Sequence, residues 1–229
     1  GIIMPGYMLH FAACNEEALK NRSFVVGVEA PDILKKHFKV CGGIDGARAK
    51  YYDTLKTADM PDYSELEERV QQKERQGSTE GLHYGLSSSP DVRLFWKGLS
   101  SEQQKMLFYR GYAWHLLTDA IMYARLDIDS KFQKALEAWG EQNQEEFINN
   151  ERQKLHDDWN KTNALVRDTY KGIDLPAEVE ELGVVKFIDE GELVYVDWNI
   201  LKGTIDYLRT FDPINGDMDE MIEAVLGNI

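Results

Sequence analysis

A histidine and an aspartate stand four residues apart in the most apolar stretch of the chain. They are His115 and Asp119, and the stretch around them includes Phe108, Tyr112 and Met122. Four residues are about one helical turn, so both side chains lie on one face of a helix. Burying an imidazole and a carboxylate costs free energy unless something compensates them. A bound metal is one compensation, because both groups are good zinc ligands; a simple His–Asp pair is the other.

Three further residues of metal-ligating types precede this pair. His10 lies in an apolar stretch, Asp32 follows Pro31, and His83 follows a glycine-rich loop. Taken one at a time, each has an ordinary interpretation that is favoured. His10 is then a core or surface histidine, Asp32 a helix N-cap, and His83 a loop histidine.

The elements that must position these residues are mostly helices. The helix over 101–126 is apolar on every side, which is typical of a helix buried at the centre of a domain. The long helical region over 130–170 is predicted to break or bend near Gly140. The other predicted helices cover 8–20, 32–38, 63–75, 90–96, 199–211 and 217–226.

The C-terminal part has a different pattern. Residues 184–188 and 193–196 are apolar runs on either side of a short turn that contains Gly191, which predicts a β-hairpin. We see no internal repeat and no low-complexity linker. The fold class predicted is therefore mainly α: a single helical domain over 1–229, with a metal-binding core over 4–170 and a C-terminal hairpin and helices over 171–229.

Composition excludes several classes of protein. The 229 residues are 43% hydrophobic, which excludes a disordered chain, and carry a net charge of −14. That charge argues against a groove for nucleic-acid backbone and against docking on an anionic membrane. Only two cysteines occur, Cys14 and Cys41, so neither a disulfide-stapled fold nor a thiolate zinc finger fits. No apolar run approaches the roughly 18 residues of a transmembrane helix. We expect a cytoplasmic, soluble protein, with secretion left open.

The order of these candidate residues resembles a known family. His10, Pro31-Asp32, Leu82-His83 and His115-x-x-x-Asp119 follow one another as in the zinc-dependent phospholipase C family. That family shares its all-helical fold with the single-strand-specific nucleases. Its small bacterial members often open with Met-Pro before the first histidine, as Met4-Pro5 does here. The resemblance covers residues 4–126 and fades afterward.

The resemblance implies a role for each residue. Asp32, His83, His115 and Asp119 hold one zinc ion, and His10 and Asp119 hold a second, so that Asp119 bridges the two. A metal-bound water of lowered pKa then attacks phosphorus. Asp32 orients that water or takes its proton.

The sequence departs from the family at three positions. The secreted phospholipases ligate zinc through an N-terminal Trp, which has no counterpart here. Arg125 stands where the family has a histidine of its third metal site, and His156-x-x-x-Asn160 stands where it has His-x-x-x-Glu. We therefore expect the third site to be missing. Arg125, His156 and Asn160 remain possible third-site or substrate contacts, the alternatives being an ion pair and a solvated polar face.

The sequence thus favours a metal-dependent phosphoesterase with one or two zinc ions, or another divalent metal. Its expected substrate is a small phosphoester or a phospholipid headgroup, not a long nucleic acid. The alternative is a metal-binding helical scaffold whose catalysis has decayed. A phosphohydrolase built on adjacent His-Asp pairs ranks last, because His156-Asp157 is the one such dipeptide.

Overall fold

The computed structural model describes residues 6–40, 59–76, 81–86, 89–140 and 143–229, and Met4-Pro5 and the side chain of His37 lie outside this description. The predicted mainly α fold is confirmed. Two short antiparallel strands follow a 3-10 turn at Gly81–His83. The elements are α1 Tyr7–Ala12, α2 Glu16–Leu19, α3 Arg22–Val40, α4 Tyr63–Arg75, β1 Gly85–Leu86, β2 Ser89–Pro90, α5 Val92–Lys97, α6 Ser101–Lys105, α7 Leu107–Leu126, α8 Ile128–Trp139, α9 Gln144–Thr169, α10 Ala177–Glu181, α11 Trp198–Leu208 and α12 Met218–Leu226.

Helix α7 is the central element of the fold. It packs against α3, α5, α6, α8, α11 and α12, and its side chains from Phe108 to Met122 are buried except for Arg110 and the half-buried Ala120. The predicted 101–126 helix is divided at Met106, whose backbone is extended at φ −72° and ψ 125°. Within the described ranges, no helix combines the length and the apolar character needed to cross a membrane.

Helices α3 and α7 touch backbone to backbone at two glycines. A Cβ on Gly27 would lie 1.9 Å from the carbonyl oxygen of Phe108, and one on Gly111 would lie 2.1 Å from that of Phe24. Both distances are far inside contact range, so each position admits only hydrogen in place of a side chain. This close crossing sets the distance between the two helices that carry Asp32, His115 and Asp119.

Helix α3 corrects the prediction for this part of the chain. The expected short helix over 32–38 is the second half of a 19-residue helix that begins at Arg22 and contains Pro31. Asp32 therefore lies inside a helix, and its interpretation as an N-cap is wrong. Burial of Phe24 and Val28 against α7 stabilises the helix, while Pro31 removes a single backbone hydrogen bond. The predicted 8–20 helix is likewise two helices, α1 and α2, separated at 13–15.

The predicted hairpin near the C-terminus is wrong. Residues 184–197 form no strand, and their backbone groups bond to α9 instead. The Asp158 carboxylate accepts the N–H groups of Val194–Val196 at 2.6–3.1 Å, and the N–H of Ile188 donates to the Asn160 carbonyl oxygen at 3.1 Å. Buried backbone groups need partners, and here a helix side chain takes the place of a second strand. The break near Gly140, in contrast, is confirmed, with φ at 90°.

Candidate metal centre

Five side chains with metal-ligating groups lie together in the interior. They come from four elements: His10 from α1, Asp32 from α3, His83 from the 3-10 turn, and His115 and Asp119 from α7. None of the five is more than 3% exposed. Two overlapping sets among them have donor atoms close enough to share one ion: His10, Asp32 and His115, and His83, His115 and Asp119. The structure thus brings together all five residues that the sequence pattern singled out.

The crossing of α3 and α7 orients His115. Gly111 lies one turn before His115, and the close approach at Gly27 brings the next carbonyl, that of Val28, against the imidazole. His115 Nδ1 donates to this oxygen over 2.6 Å. A carbonyl oxygen can only accept, so Nδ1 carries the proton, and in the neutral ring Nε2 presents its lone pair. Metal-ligating histidines are commonly fixed in this way.

Four donor atoms lie at separations close to those between the ligands of a zinc ion. His115 Nε2 lies 3.2 Å from Asp119 Oδ2 and 3.7 Å from Asp32 Oδ1. His83 Nε2 lies 3.0 Å from Asp32 Oδ1 and 3.4 Å from His115 Nε2. It also lies 3.7 Å from Asp119 Oδ2. In a tetrahedral zinc site with bonds of about 2.0–2.1 Å, the ligand atoms lie about 3.3–3.4 Å apart. This distance falls within the range of the five separations given above. The separations of His83, His115 and Asp119 therefore suit ligands of one zinc ion.

His10 approaches the other oxygen of Asp119. Its Nε2 atom lies 3.0 Å from Asp119 Oδ1, and its ring stacks on that of His115 with centroids 3.7 Å apart and planes 6° apart. Among the described residues, neither Asp119 oxygen nor either ring nitrogen of His10 makes a hydrogen bond. Buried polar atoms are normally hydrogen-bonded, so a cation bound beside the His10–Asp119 pair would compensate their burial. The two Asp119 oxygens face different histidines, as a carboxylate bridging two cations does.

The electrostatics of the centre favour a positive ion. Burial by itself opposes ionisation of Asp32 and Asp119, but the facing histidines outweigh it, and the pKa of each carboxyl lies below its ordinary value. The pKa of His115 is lowered by burial and by His10, against the pull of the two carboxylates. The ionised form of both carboxyls and the neutral form of His115 are thus favoured, and these are the forms that bind a divalent cation.

A second buried polar group, which the sequence did not reveal, lies on α3 one turn before Asp32. Glu29 is 1% exposed, and in the described part of the chain no N–H or O–H group donates to its oxygens. The carboxyl of Glu178 on α10, which pairs with the Arg22 guanidinium at 2.7 Å, lies beside it. Two carboxyl groups can bond only through a shared proton. Burial, followed by the Glu178 contact, raises the pKa of Glu29 well above its ordinary value. The three-residue spacing from Asp32 is the signal that could have pointed to Glu29.

Arg125, His156 and Asn160, the residues named for a third site or substrate contact, make other contacts in the described residues. Arg125 donates to Thr204 Oγ1 at 3.1 Å and stacks over the Tyr207 ring at 5.3 Å, so it fastens α7 to α11. His156 is exposed, and its Nδ1 lies 3.4 Å from the Asn160 side-chain nitrogen. The contacts described for these residues thus stay within α9 or reach the C-terminal helices.

Three imidazoles and two carboxylates around one buried volume form a donor set that suits a divalent transition metal. Comparison of the chain with protein-family models, curated proteins and solved structures finds no match. Its function is therefore inferred from its own residues and geometry.

Proposed function

We propose that the chain is a metal-dependent phosphoester hydrolase of the phospholipase C-like kind. In this proposal His10, Asp32, His83, His115 and Asp119 hold zinc or another divalent cation. The observation that carries it is the meeting of buried imidazole and carboxylate donor atoms from four elements at separations that suit a shared ion. The order of the same five residues along the chain supports the reaction type.

Each residue has a task in this proposal. When bound, a divalent cation lowers the pKa of a coordinated water toward neutrality and stabilises negative charge on a phosphoryl group. Asp32 is kept ionised, so it can orient the attacking water and accept its proton. His115 is held in one tautomer by Val28, which keeps its Nε2 lone pair directed at the centre. Asp119 directs Oδ1 at His10 and Oδ2 at His83 and His115, so it is placed between these two groups of ligands.

The proposed substrate is a small phosphoester or a phospholipid headgroup. The net charge of −14 disfavours a polynucleotide, whose many phosphates the surface would repel. A bound divalent cation reverses the sign of the field inside the centre, so a single phosphate remains compatible with an acidic chain.

One observation favours a second candidate, a metal-binding protein without turnover. All five proposed ligands are at most 3% exposed, whereas catalytic zinc sites keep one position open to water or substrate. A closed centre of this kind would contribute to folding. The two candidates share the metal and differ in hydrolysis, so one set of measurements separates them.

The test combines metal content with hydrolysis. The wild-type protein, purified without chelator, is expected to hold about one or two ions per chain, and His115→Ala is expected to lose them. His156→Ala is the matched control, because it removes an exposed histidine. Hydrolysis is measured on a soluble phosphomonoester, a soluble phosphodiester and phosphatidylcholine vesicles. Metal-dependent release of phosphate or headgroup supports the hydrolase, and bound metal without release supports the second candidate. Less than one ion per chain, unchanged by His115→Ala, contradicts both.

A further inference from the structure

His83 is the proposed ligand with the weakest local support. The other four lie on α-helices, whereas His83 ends a three-residue 3-10 turn that two strands of two residues each follow. The next residue, Tyr84, has a positive φ of 52°, which local sequence preferences do not favour. Such a turn does not hold a side chain within a few tenths of an ångström by itself. Something outside the turn must fix it.

Helix α7 supplies a contact to this turn through Tyr112. The Tyr112 hydroxyl donates to the carbonyl oxygen of Leu82, which belongs to the peptide that joins Leu82 to His83. The hydroxyl therefore acts on the peptide plane from which the His83 side chain departs. Tyr112 lies three residues before His115 and seven before Asp119, on the same face of α7.

The Tyr112 ring is itself held in place. It is 1% exposed and stacks on Phe95, with centroids 4.9 Å apart and planes 17° apart. On another side lies Phe108, at a centroid distance of 6.0 Å. A ring packed in this way has little rotational freedom. Its hydroxyl is therefore held in one place and can fix the position of the turn. The same helix then presents two metal ligands directly and locates a third.

We infer that Tyr112 is a positioning residue for His83 and that its hydroxyl, not its ring, tunes the metal centre. This inference rests on the metal site of the proposed function. Groups that orient metal ligands contribute to affinity without touching the ion, and removing one typically costs ten- to a hundredfold in metal affinity. A ring that only packed would contribute to stability and leave the affinity unchanged.

The substitution Tyr112→Phe separates these roles, because it keeps the ring and removes the hydroxyl. The matched control is Tyr109→Phe. Tyr109 is also fully buried on α7, but its hydroxyl donates to Glu65 on α4, at 3.4 Å. Cobalt affinity is measured by competition with a chelator, and the visible spectrum of the cobalt-loaded protein reports the ligand geometry. We expect Tyr112→Phe to raise the cobalt Kd ten- to a hundredfold and to change the spectrum, and Tyr109→Phe to do neither.

A second measurement needs no metal. Amide hydrogen exchange of residues 81–86 in the metal-free protein is expected to be several-fold faster in Tyr112→Phe than in Tyr109→Phe. Equal cobalt affinities of the wild type and Tyr112→Phe, or equal losses in the two variants, would overturn the inference alone. Absence of cobalt binding by the wild type would overturn the metal centre and the inference with it. Loss of affinity accompanied by faster exchange in the turn, in Tyr112→Phe only, is the supporting result.

Discussion

The Nδ1 atom of His115 donates a hydrogen bond to the carbonyl oxygen of Val28, 2.6 Å away on the neighbouring helix. This contact links the packing of α3 on α7 to the chemistry of the centre. It exists because glycines at 27 and 111 let the two backbones meet. The same contact fixes the tautomer of His115, so a change in helix packing is also a change in the metal site.

Gly111→Ala is expected to damage stability and metal binding together. The added Cβ would lie 2.1 Å from the Phe24 carbonyl oxygen, so the helices must separate. Overpacking of this kind typically costs about 1–3 kcal/mol in the free energy of unfolding. Urea denaturation and metal content check the two effects.

The control for this substitution is Gly203→Ala on α11. An added Cβ there meets no atom of the described residues within 4 Å, and replacing a helical glycine by alanine stabilises by about 0.5–1 kcal/mol. If Gly111→Ala keeps both its stability and its metal, the glycine crossing does not set the centre.

Glu29 is expected to make the protein less stable as the pH rises. Its pKa is raised in the folded protein by burial and by Glu178. Between the ordinary pKa of about 4.3 and the raised value, the folded state binds more protons than the unfolded state. Its contribution to the free energy of unfolding is therefore fully present below pH about 4.3 and is lost as the pH rises through the raised pKa.

The measurement is the difference in the free energy of unfolding between wild type and Glu29→Gln as a function of pH. Glutamine mimics the protonated acid, so the variant should lack this component, while contributions from the histidines cancel in the difference. Glu137→Gln, on an exposed part of α8, is the control and should run parallel to the wild type. A pH-independent difference for Glu29→Gln would contradict a protonated Glu29.

Asp158→Ala is expected to release the segment over 194–196 from α9. The carboxylate accepts three backbone N–H groups, and hydrogen bonds to charged groups contribute about 1.5–3 kcal/mol each. We expect a loss of about 3 kcal/mol or more in unfolding free energy and faster amide exchange at 194–196. Asp158→Asn retains one acceptor oxygen, so its unfolding free energy and its amide exchange rate should lie between those of the wild type and Asp158→Ala. Unchanged exchange in Asp158→Ala would show that another contact holds the segment.

Features that depend on neighbouring positions along the chain could be predicted from the sequence. The all-round apolar character of α7 predicted its central position, and Gly140 predicted the break between α8 and α9. The spacing of His115 and Asp119 placed both side chains on one helical face. These predictions could be made because helical periodicity and the backbone freedom of glycine are local properties.

Features that depend on distant partners could not be predicted. Burial against α7 makes α3 one helix through Pro31, which moves Asp32 from a helix start to a helix interior. The Asp158 carboxylate binds the backbone N–H groups of residues whose apolar runs predicted a hairpin, and Arg125 binds Thr204 of α11.

The candidate centre also has features that the sequence predicts and features that only the tertiary structure decides. The residue types and order of His10, Asp32, His83, His115 and Asp119 are written in the sequence. Their approach to within 3.0–3.7 Å was decided by the tertiary structure, through the glycine crossing of α3 and α7 and the turn beside Tyr112. The physical reason is that burial removes water as a partner, so each polar group must take whichever partner the packed helices bring to it.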